Sequence, residues 1–593
     1  MTNMLEGTSF DEETNKNVQE WLDGDYDRET KKTIKKLLIE NPQEIIDAFY
    51  TNLSFGTGGL RGIMGVGTNR MNQYTVRAAT QGFANYLNKQ QSEVKKHRII
   101  ISYDTRHNSL YFAQEAAKVL AANEIEVLIF EEFRPTPLVS FGCRMKDCSG
   151  AIMITASHNP PEYNGYKLYW NDGGQILPPH DIGIIDEVNA IHDLSMVKVA
   201  EGMDHRNIEV IGDEIEDAYY HFIHKLQNYP ESNRKNGGQI KVVYSNIHGT
   251  GITMVPEALR CWGFTNLSLV EAQKDPDGEF PTVVYPNPEE PEALQLGVEQ
   301  LLKFDSDIFL ATDPDTDRVG VVVNHYGEAH ALTGNQIACL CLEHICTALN
   351  SQGRLPERAA FIKTLVTSEL FRTIAHSYGK PCFDVLTGFK YIAQLIKKWE
   401  EDNSPYQFIF GGEESYGYLI GTELRDKDAV SSCALIVEAA LYAKLNDKTL
   451  IDMLHDIYQK YGVYEEKLQS LRFPETREGH QQMDRGMQKL FHSPPKDICG
   501  LDVVSISDYL KSEIKDVVSG TLIPIALPKT KLISFTLSDE SVIHVRPSGT
   551  EPKIKIYCGV KKSKGRASVD DTLIICERHC QCLIQEMINF LSS

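Results

Sequence analysis

Four polar stretches of this 593-residue chain combine residue types that could transfer a phosphoryl group. The first, Thr155-Ala156-Ser157-His158-Asn159-Pro160, sets a serine hydroxyl directly after the apolar run Gly150-Ala151-Ile152-Met153-Ile154. That run reads as a central parallel strand, and ligands bind beyond the carboxyl ends of such strands. His158 adds a donor, and Pro160 and Pro161 stop the chain from continuing as helix. An ordinary strand-to-loop corner uses the same residues, so the hexapeptide alone leaves two readings.

Three further loops narrow the choice. Asp313, Asp315 and Asp317 alternate after Asp307-Ile308-Phe309-Leu310-Ala311, and an extended loop would aim all three carboxylates the same way. Hard oxygen ligands suit Mg²⁺ or Ca²⁺, but an EF-hand fails because Arg318 stands at its glycine position and Asn324 at its closing glutamate. Mg²⁺ with a phosphate oxygen fits better, against the alternative of a solvated acidic turn. Glu413 and Ser415, flanked by glycines after Gln407-Phe408-Ile409-Phe410, could exchange hydrogen bonds with sugar hydroxyls or simply face water. Arg546, Ser548, Gly549 and Thr550 form a guanidinium-and-hydroxyl fork of the type that grips a phosphate dianion, or a plain hairpin turn. Lys167 and Lys390 each follow a glycine and an aromatic, Gly165-Tyr166 and Gly388-Phe389. A lysine beside a metal and an arginine can have a lowered pKa, so Lys167, ten residues after Ser157, is a candidate proton acceptor. Together the loops offer a nucleophile, a metal cluster, a hydroxyl-reading carboxylate and an anion clamp.

Bulk properties limit the function classes. Single cores rarely exceed about 250–300 residues, so the chain is expected to hold three or four domains. A net charge of −22 argues against non-specific nucleic-acid or membrane-surface binding, so an anionic substrate must be drawn by local cations. The acidic amino-terminal stretch has no basic region followed by an apolar one, and no run approaches the roughly 20 apolar residues that span a bilayer. The expectation is a cytoplasmic protein. Thirteen irregularly spaced cysteines point to free thiols, and the clusters around Cys339 and Cys576 read as helix-face core rather than zinc ligands.

The elements that must position these loops follow a βα rhythm. Residues 20–50 are helical and charged, and Phe55-Gly56-Thr57-Gly58-Gly59-Leu60-Arg61-Gly62 reads as a flexible loop with one cation, either approaching a phosphate or serving as a glycine turn. Strands at 98–103 and 126–130 with a helix between them lead to the serine loop, and the rhythm restarts at 240 and near 360. Beyond about 456, a charged helix gives way to a hairpin of 531–537 and 541–545. The predicted fold is three consecutive α/β domains with mixed or parallel sheets (1–205, 206–325 and 326–455) and a C-terminal α+β domain (456–593) around a central cleft.

These loops, in this order and over nearly the whole chain, resemble the α-D-phosphohexomutase family, with TASHNP, D-x-D-x-D-R and R-P-S-G-T-E-P jointly specific. Gly412-Glu413-Glu414-Ser415-Tyr416-Gly417, Thr387-Gly388-Phe389-Lys390 and Arg425-Asp426-Lys427-Asp428-Ala429 resemble the branch of long phosphoglucomutases, bacterial phosphoglucomutase/phosphomannomutase-type enzymes and phosphopentomutases. Glu414, Tyr416 and Gly417 depart from the G-E-M-S-G-H form of other branches, which leaves the choice of sugar open. The resemblance implies that phosphorylated Ser157 donates to a sugar monophosphate, and that the bisphosphorylated sugar turns over and returns its other phosphate. It implies Mg²⁺ on Ser157, Asp313, Asp315 and Asp317, with Lys167 as general base or acid. His158 and Arg61 would support the transferring group, and Arg318, Gly388, Lys390, Glu413, Ser415, Arg546, Ser548, Gly549 and Thr550 would bind substrate. Glucose 1,6-bisphosphate is the implied activator and intermediate, and a monomer or homodimer the implied assembly. The leading expectation is interconversion of glucose 1-phosphate and glucose 6-phosphate. Phosphomannomutase, phosphopentomutase, glucose 1,6-bisphosphate synthase and a non-catalytic sugar-phosphate sensor are the alternatives.

Overall fold

A computed structural model describes residues 10–54, 58–90, 96–474, 477–548, 552–563 and 567–592. They fall into two compact units. The first runs to Ala331 and takes in Ala393–Ser404 and Gly417–Leu441; the second comprises Leu332–Ile392, Pro405–Tyr416 and the chain from Tyr442 onward.

In the first unit, strands β1 (Gly59–Ile63), β2 (Arg98–Tyr103), β3 (Glu126–Phe130), β4 (Gly150–Ile154), β5 (Tyr163–Trp170) and β6 (Ile208–Ile211) form a sheet ordered β1-β5-β4-β2-β3-β6. β2, β3, β4 and β6 run parallel, whereas β5 and β1 are antiparallel to their neighbours. The β-branched runs of β2 and β4 are wholly buried, as a sheet covered by helices on both faces requires. The segment read as a flexible glycine loop is thus partly strand: Gly59–Ile63 pairs with Tyr163–Lys167. A Cβ at Gly59 would lie 1.7 Å from the Tyr166 carbonyl oxygen, so the glycine is there for close strand approach. Phe55, Gly56 and Thr57 lie outside the described residues.

The same unit carries a second sheet of β7 (Val242–Ser245), β8 (Leu267–Leu269), β9 (Ile308–Thr312), β10 (Val319–His325) and β11 (Glu328–Leu332), ordered β11-β10-β9-β7-β8. β9 and β10 are antiparallel across the aspartate turn. In the second unit β12 (Ala359–Thr364) lies between β13 (Cys382–Val385) and β14 (Gln407–Gly412), all parallel, and the short β15 (Tyr418–Ile420) belongs to the first unit.

The second unit ends in a large sheet of β16 (Val463–Arg472), β18 (Leu501–Asp508), β19 (Glu513–Asp516), β20 (Leu522–Pro524), β21 (Ile533–Leu537), β22 (Val542–Pro547) and β23 (Lys553–Lys562), with β17 (Asp497–Ile498) paired to β18. The order β16-β23-β22-β21-β18-β19-β20 is antiparallel, and the 24-residue helix Val569–Ser592 packs on β16 and β23. The fold is therefore α/β domains with mixed sheets and a β-rich C-terminal part, as expected. The cysteines depart from expectation: Cys499 and Cys582, 83 residues apart, are joined as a disulfide, while the eleven others described are free. Only the docking of the last helix brings that pair together. Among the described residues no helix is long and apolar enough to cross a membrane.

Candidate active site

At the carboxyl end of β4, Thr155 turns its hydroxyl back to accept the Ser157 N–H at 2.8 Å. Ser157 then takes a left-handed backbone conformation, φ 53°, which is unfavourable for a residue with a Cβ. What holds it is Arg106, from the loop after β2. Its guanidinium donates to the carbonyl oxygens of Ser157 (2.5 Å), Asn159 (2.5 Å), Pro160 (2.7 Å) and Tyr163 (3.2 Å) and pairs with Asp104 at 3.2 Å. Both Arg106 and Asp104 are buried.

So fixed, the Ser157 hydroxyl donates to Asp313 Oδ2 at 2.8 Å and lies 3.3 Å from His158 Nδ1. Burial holds His158 well below the usual histidine range, and the nearby Arg318 and Arg61 add to that. Arg61, on β1, donates to Asn159 Oδ1 at 3.0 Å and so braces the same loop.

Asp313, Asp315 and Asp317 are buried, and one oxygen of each lies within 4.8 Å of the others. They converge through a tight turn with Thr316 at φ 56°, not through the extended alternation expected. The N–H groups of Asp317 and Arg318 both donate to Asp313 Oδ1 at 3.0 Å, which closes the turn. Burial, then repulsion from Asp315 and Asp317, raises the Asp313 pKa far above the carboxylate range. Asp315 Oδ2 accepts from Thr136 and Lys167, but its buried Oδ1 has no hydrogen-bond partner. A buried carboxylate oxygen left unpaired beside two other carboxylates is a donor set that a hard divalent cation completes, so the residues fit a metal.

Lys167 Nζ sits 2.6 Å from Asp315 and 3.2 Å from Asp317. Burial works to lower its pKa, yet the two aspartates outweigh burial and the net shift is upward, opposite to the depression expected. The expectation weighed a metal and an arginine, whereas the contacting groups are carboxylates. A second ammonium, Lys427, lies 3.1 Å from Asp317. Burial acts to raise the Asp317 pKa, but Lys427, Lys167 and Arg318 together pull it far below the carboxylate range.

Lys427 is positioned by its flanks. Asp426 accepts from Tyr169 (2.9 Å), Gln175 (3.0 Å) and the Lys427 N–H (2.8 Å). Asp428 accepts from Tyr219 and from the first turn of the helix Ala429–Lys444. Sequence reasoning used this stretch only as a mark of resemblance. Four successive charges opening an almost wholly apolar helix must be paired when buried, and that signal would have singled out Lys427. Arg106 was missed as well, although it too follows the carboxyl end of a buried strand.

The second unit holds the other two loops. Glu413 is buried and accepts the N–H of Gly388, whose φ of 112° suits glycine, at 2.9 Å. Glu414 accepts from the Thr364 hydroxyl at 3.1 Å. Arg546 donates to the Thr387 hydroxyl, and the Ser548 N–H closes its turn on the Lys553 carbonyl at 2.8 Å. Lys390 lies over the Tyr391 ring, Ser415 is half-buried beside Glu414, and Arg318, in the first unit, pairs with Glu289 at 2.6 Å. Gly549 and Thr550 lie outside the described residues.

A serine hydroxyl facing a buried carboxylate triad and two lysines, on α/β sheets of this order, defines a phosphotransfer class. Residues 52–194, 218–327 and 333–461 match α/β/α domains I, II and III of phosphoglucomutase/phosphomannomutase. A phosphoglucomutase of Staphylococcus aureus (strain bovine RF122 / ET3-1) is 38% identical over 518 residues, 87% of this chain and 91% of the relative. A phosphoglucomutase of Staphylococcus haemolyticus (strain JCSC1435) is 36% identical over 515 residues, 86% of this chain and 90% of the relative. Among solved structures, the open form of parafusin, a Paramecium phosphoglucomutase, aligns with TM-score 0.68 at 16% identity over 91% of this chain and 95% of that one, a likeness of fold. The chain belongs to the phosphoglucomutase/phosphomannomutase family of α-D-phosphohexomutases.

Proposed function

We propose that this enzyme interconverts glucose 1-phosphate and glucose 6-phosphate through a phosphorylated Ser157. The observation that carries the reading is the Ser157 hydroxyl, 2.8 Å from Asp313, opposite Lys167 and Lys427. Mg²⁺ held by Asp313, Asp315 and Asp317 would supply charge neutralisation to the phosphoryl oxygens. When the group leaves Ser157, its P–O bond to Oγ breaks and a bond to the sugar hydroxyl oxygen forms; the hydroxyl proton ends on Ser157 Oγ, relayed through Lys167, whose ammonium gives up one proton as it takes the other. In the opposite direction Lys167, as the ammonium its carboxylate partners favour, returns that proton to the leaving sugar oxygen. Lys427, His158 and Arg61 present positive charge or donors where charge develops.

In the second unit, Arg546 and Ser548, with Gly549 and Thr550, are the proposed grip on the non-reacting phosphate. Glu413 has one carboxylate oxygen fixed by Gly388 and is the proposed reader of sugar hydroxyls, aided by Ser415 and Lys390, and Arg318 is a proposed substrate contact of the first unit. Glucose 1,6-bisphosphate is the proposed intermediate. The curated relatives named above support glucose as the sugar. Coupled assays of glucose 1-phosphate, mannose 1-phosphate and ribose 1-phosphate with Mg²⁺ test the choice: glucose 1-phosphate should give the highest kcat/KM, and a higher value for either other sugar would reject it. Ser157→Ala should abolish turnover while sugar-phosphate binding stays within a few-fold, and near-normal turnover would reject the phosphoserine route.

A further inference from the structure

We propose that the second unit contains a separate binding site, a cavity of about 460 Å³ between the segment 365–373 and one face of the C-terminal sheet, and that its ligand is a small organic cation bearing an ammonium or guanidinium group. The floor is built by strand alternation. Glu466 on β16, Gly559 on β23, His544 on β22 and Ser534 on β21 all line the cavity, whereas Ser157, the three aspartates, Glu413 and Arg546 do not.

Gly559 marks the site independently. It lies inside a ten-residue strand, where glycine is unfavourable unless something must approach the backbone. A Cβ added there would meet only the Glu466 Cγ, at 3.8 Å, so the position opens on free space and not on a packed neighbour.

The charge balance selects the ligand. Lys363, on β12, pairs with Glu369 at 2.8 Å and Asp384 at 3.2 Å; Arg372 pairs with the same two carboxylates, and Lys561 with Glu540 at 3.0 Å. Every one of these cations is already engaged. Glu466 receives a hydrogen bond from the Ser368 hydroxyl, and among the described residues no cation lies within ion-pair distance of it. Burial is the main reason its carboxyl is pushed up to about 7, with Glu465 adding to that and the Ser368 hydroxyl and the more distant Lys363 only partly offsetting it. An anion would meet four carboxylates around this wall, and a neutral polyol would leave Glu466 uncompensated. A donor-bearing cation satisfies it.

Isothermal titration of the full-length protein with agmatine as probe tests the site. Agmatine should bind one to one. Glu466→Gln and the cavity-filling Gly559→Leu should each weaken binding at least about tenfold, the worth of one charge-assisted hydrogen bond. Gly559→Leu should leave glucose 1-phosphate turnover within about twofold, since its side chain enters empty space, and so also reports whether the protein is folded. Absence of agmatine binding, equal affinity in folded Gly559→Leu, or binding of sorbitol or sulfate that Gly559→Leu removes would each overturn the assignment.

Discussion

Replacing Arg106 by methionine should separate the positioning of the serine loop from its chemistry. The methionine keeps apolar volume against Phe280, over which the guanidinium now lies at 4.9 Å, but it removes all four carbonyl contacts and the partner of Asp104. Breaking a buried ion pair by deleting one member costs about 3–5 kcal/mol. Asp104 keeps the Ser109 hydroxyl at 2.6 Å, and burial already favours its protonation against the pull of Arg106, so the lower half of that range is expected. The first unfolding transition in urea should register that loss. In Asp104→Asn/Arg106→Met the uncompensated charge is gone, and most of the stability should return. Phosphorylation should not return, because the carbonyl contacts of Arg106 that hold Ser157 at its positive φ are still missing, and a displacement of about 1 Å at a reacting atom costs on the order of 100-fold. The assay is single-turnover transfer from glucose 1,6-bisphosphate to Ser157 in wild type and both variants. A double variant that is phosphorylated at the wild-type rate would refute the role given to Arg106.

Three other outcomes follow from the same geometry. Lys427→Met should lower kcat by about 10²–10³ with little change in KM, as loss of a transition-state donor does, and steady-state kinetics with unchanged kcat would contradict it. Arg546→Ala should mainly raise KM, and unaltered saturation kinetics would reject the phosphate clamp. Burial, with Lys363 adding, pulls His544 down to about 4 in the folded protein, below the ordinary histidine value of about 6.5, so the unfolded chain binds the extra proton between those values. Its contribution to stability is therefore complete above pH 6.5 and is lost as pH falls toward 4, at most about 3 kcal/mol. His544→Gln keeps a group able to meet Ser534 but does not titrate, so urea unfolding at pH 7 and 4.5 should show a smaller acid loss than wild type; equal losses would reject the argument.

The sequence made the strand-then-loop grammar legible because it is local. The β-branched runs at 98–103, 126–130 and 150–154 announced β2, β3 and β4, and polar loops after buried strands located Ser157 and the three aspartates. Features set by tertiary pairing were not legible. Gly59–Ile63 is a strand only because β5 lies beside it, and Cys499 meets Cys582 only through the last helix. The aspartates converge through a left-handed Thr316 that no alternation rule anticipates. Lys427 reaches Asp317 from 110 residues away in sequence because Gly417–Leu441 folds back into the first unit, and Asp315 with Asp317, also remote in sequence, is what holds Lys167 charged against burial.

The central claim is that one side-chain oxygen carries the phosphoryl group. Peptide-resolved mass spectrometry after incubation with glucose 1,6-bisphosphate and Mg²⁺ tests it most directly. The account predicts a single added phosphoryl group on the peptide containing Ser157, removed again by excess glucose 1-phosphate. An unmodified Ser157, or a phosphoryl group confined to another residue, would contradict it.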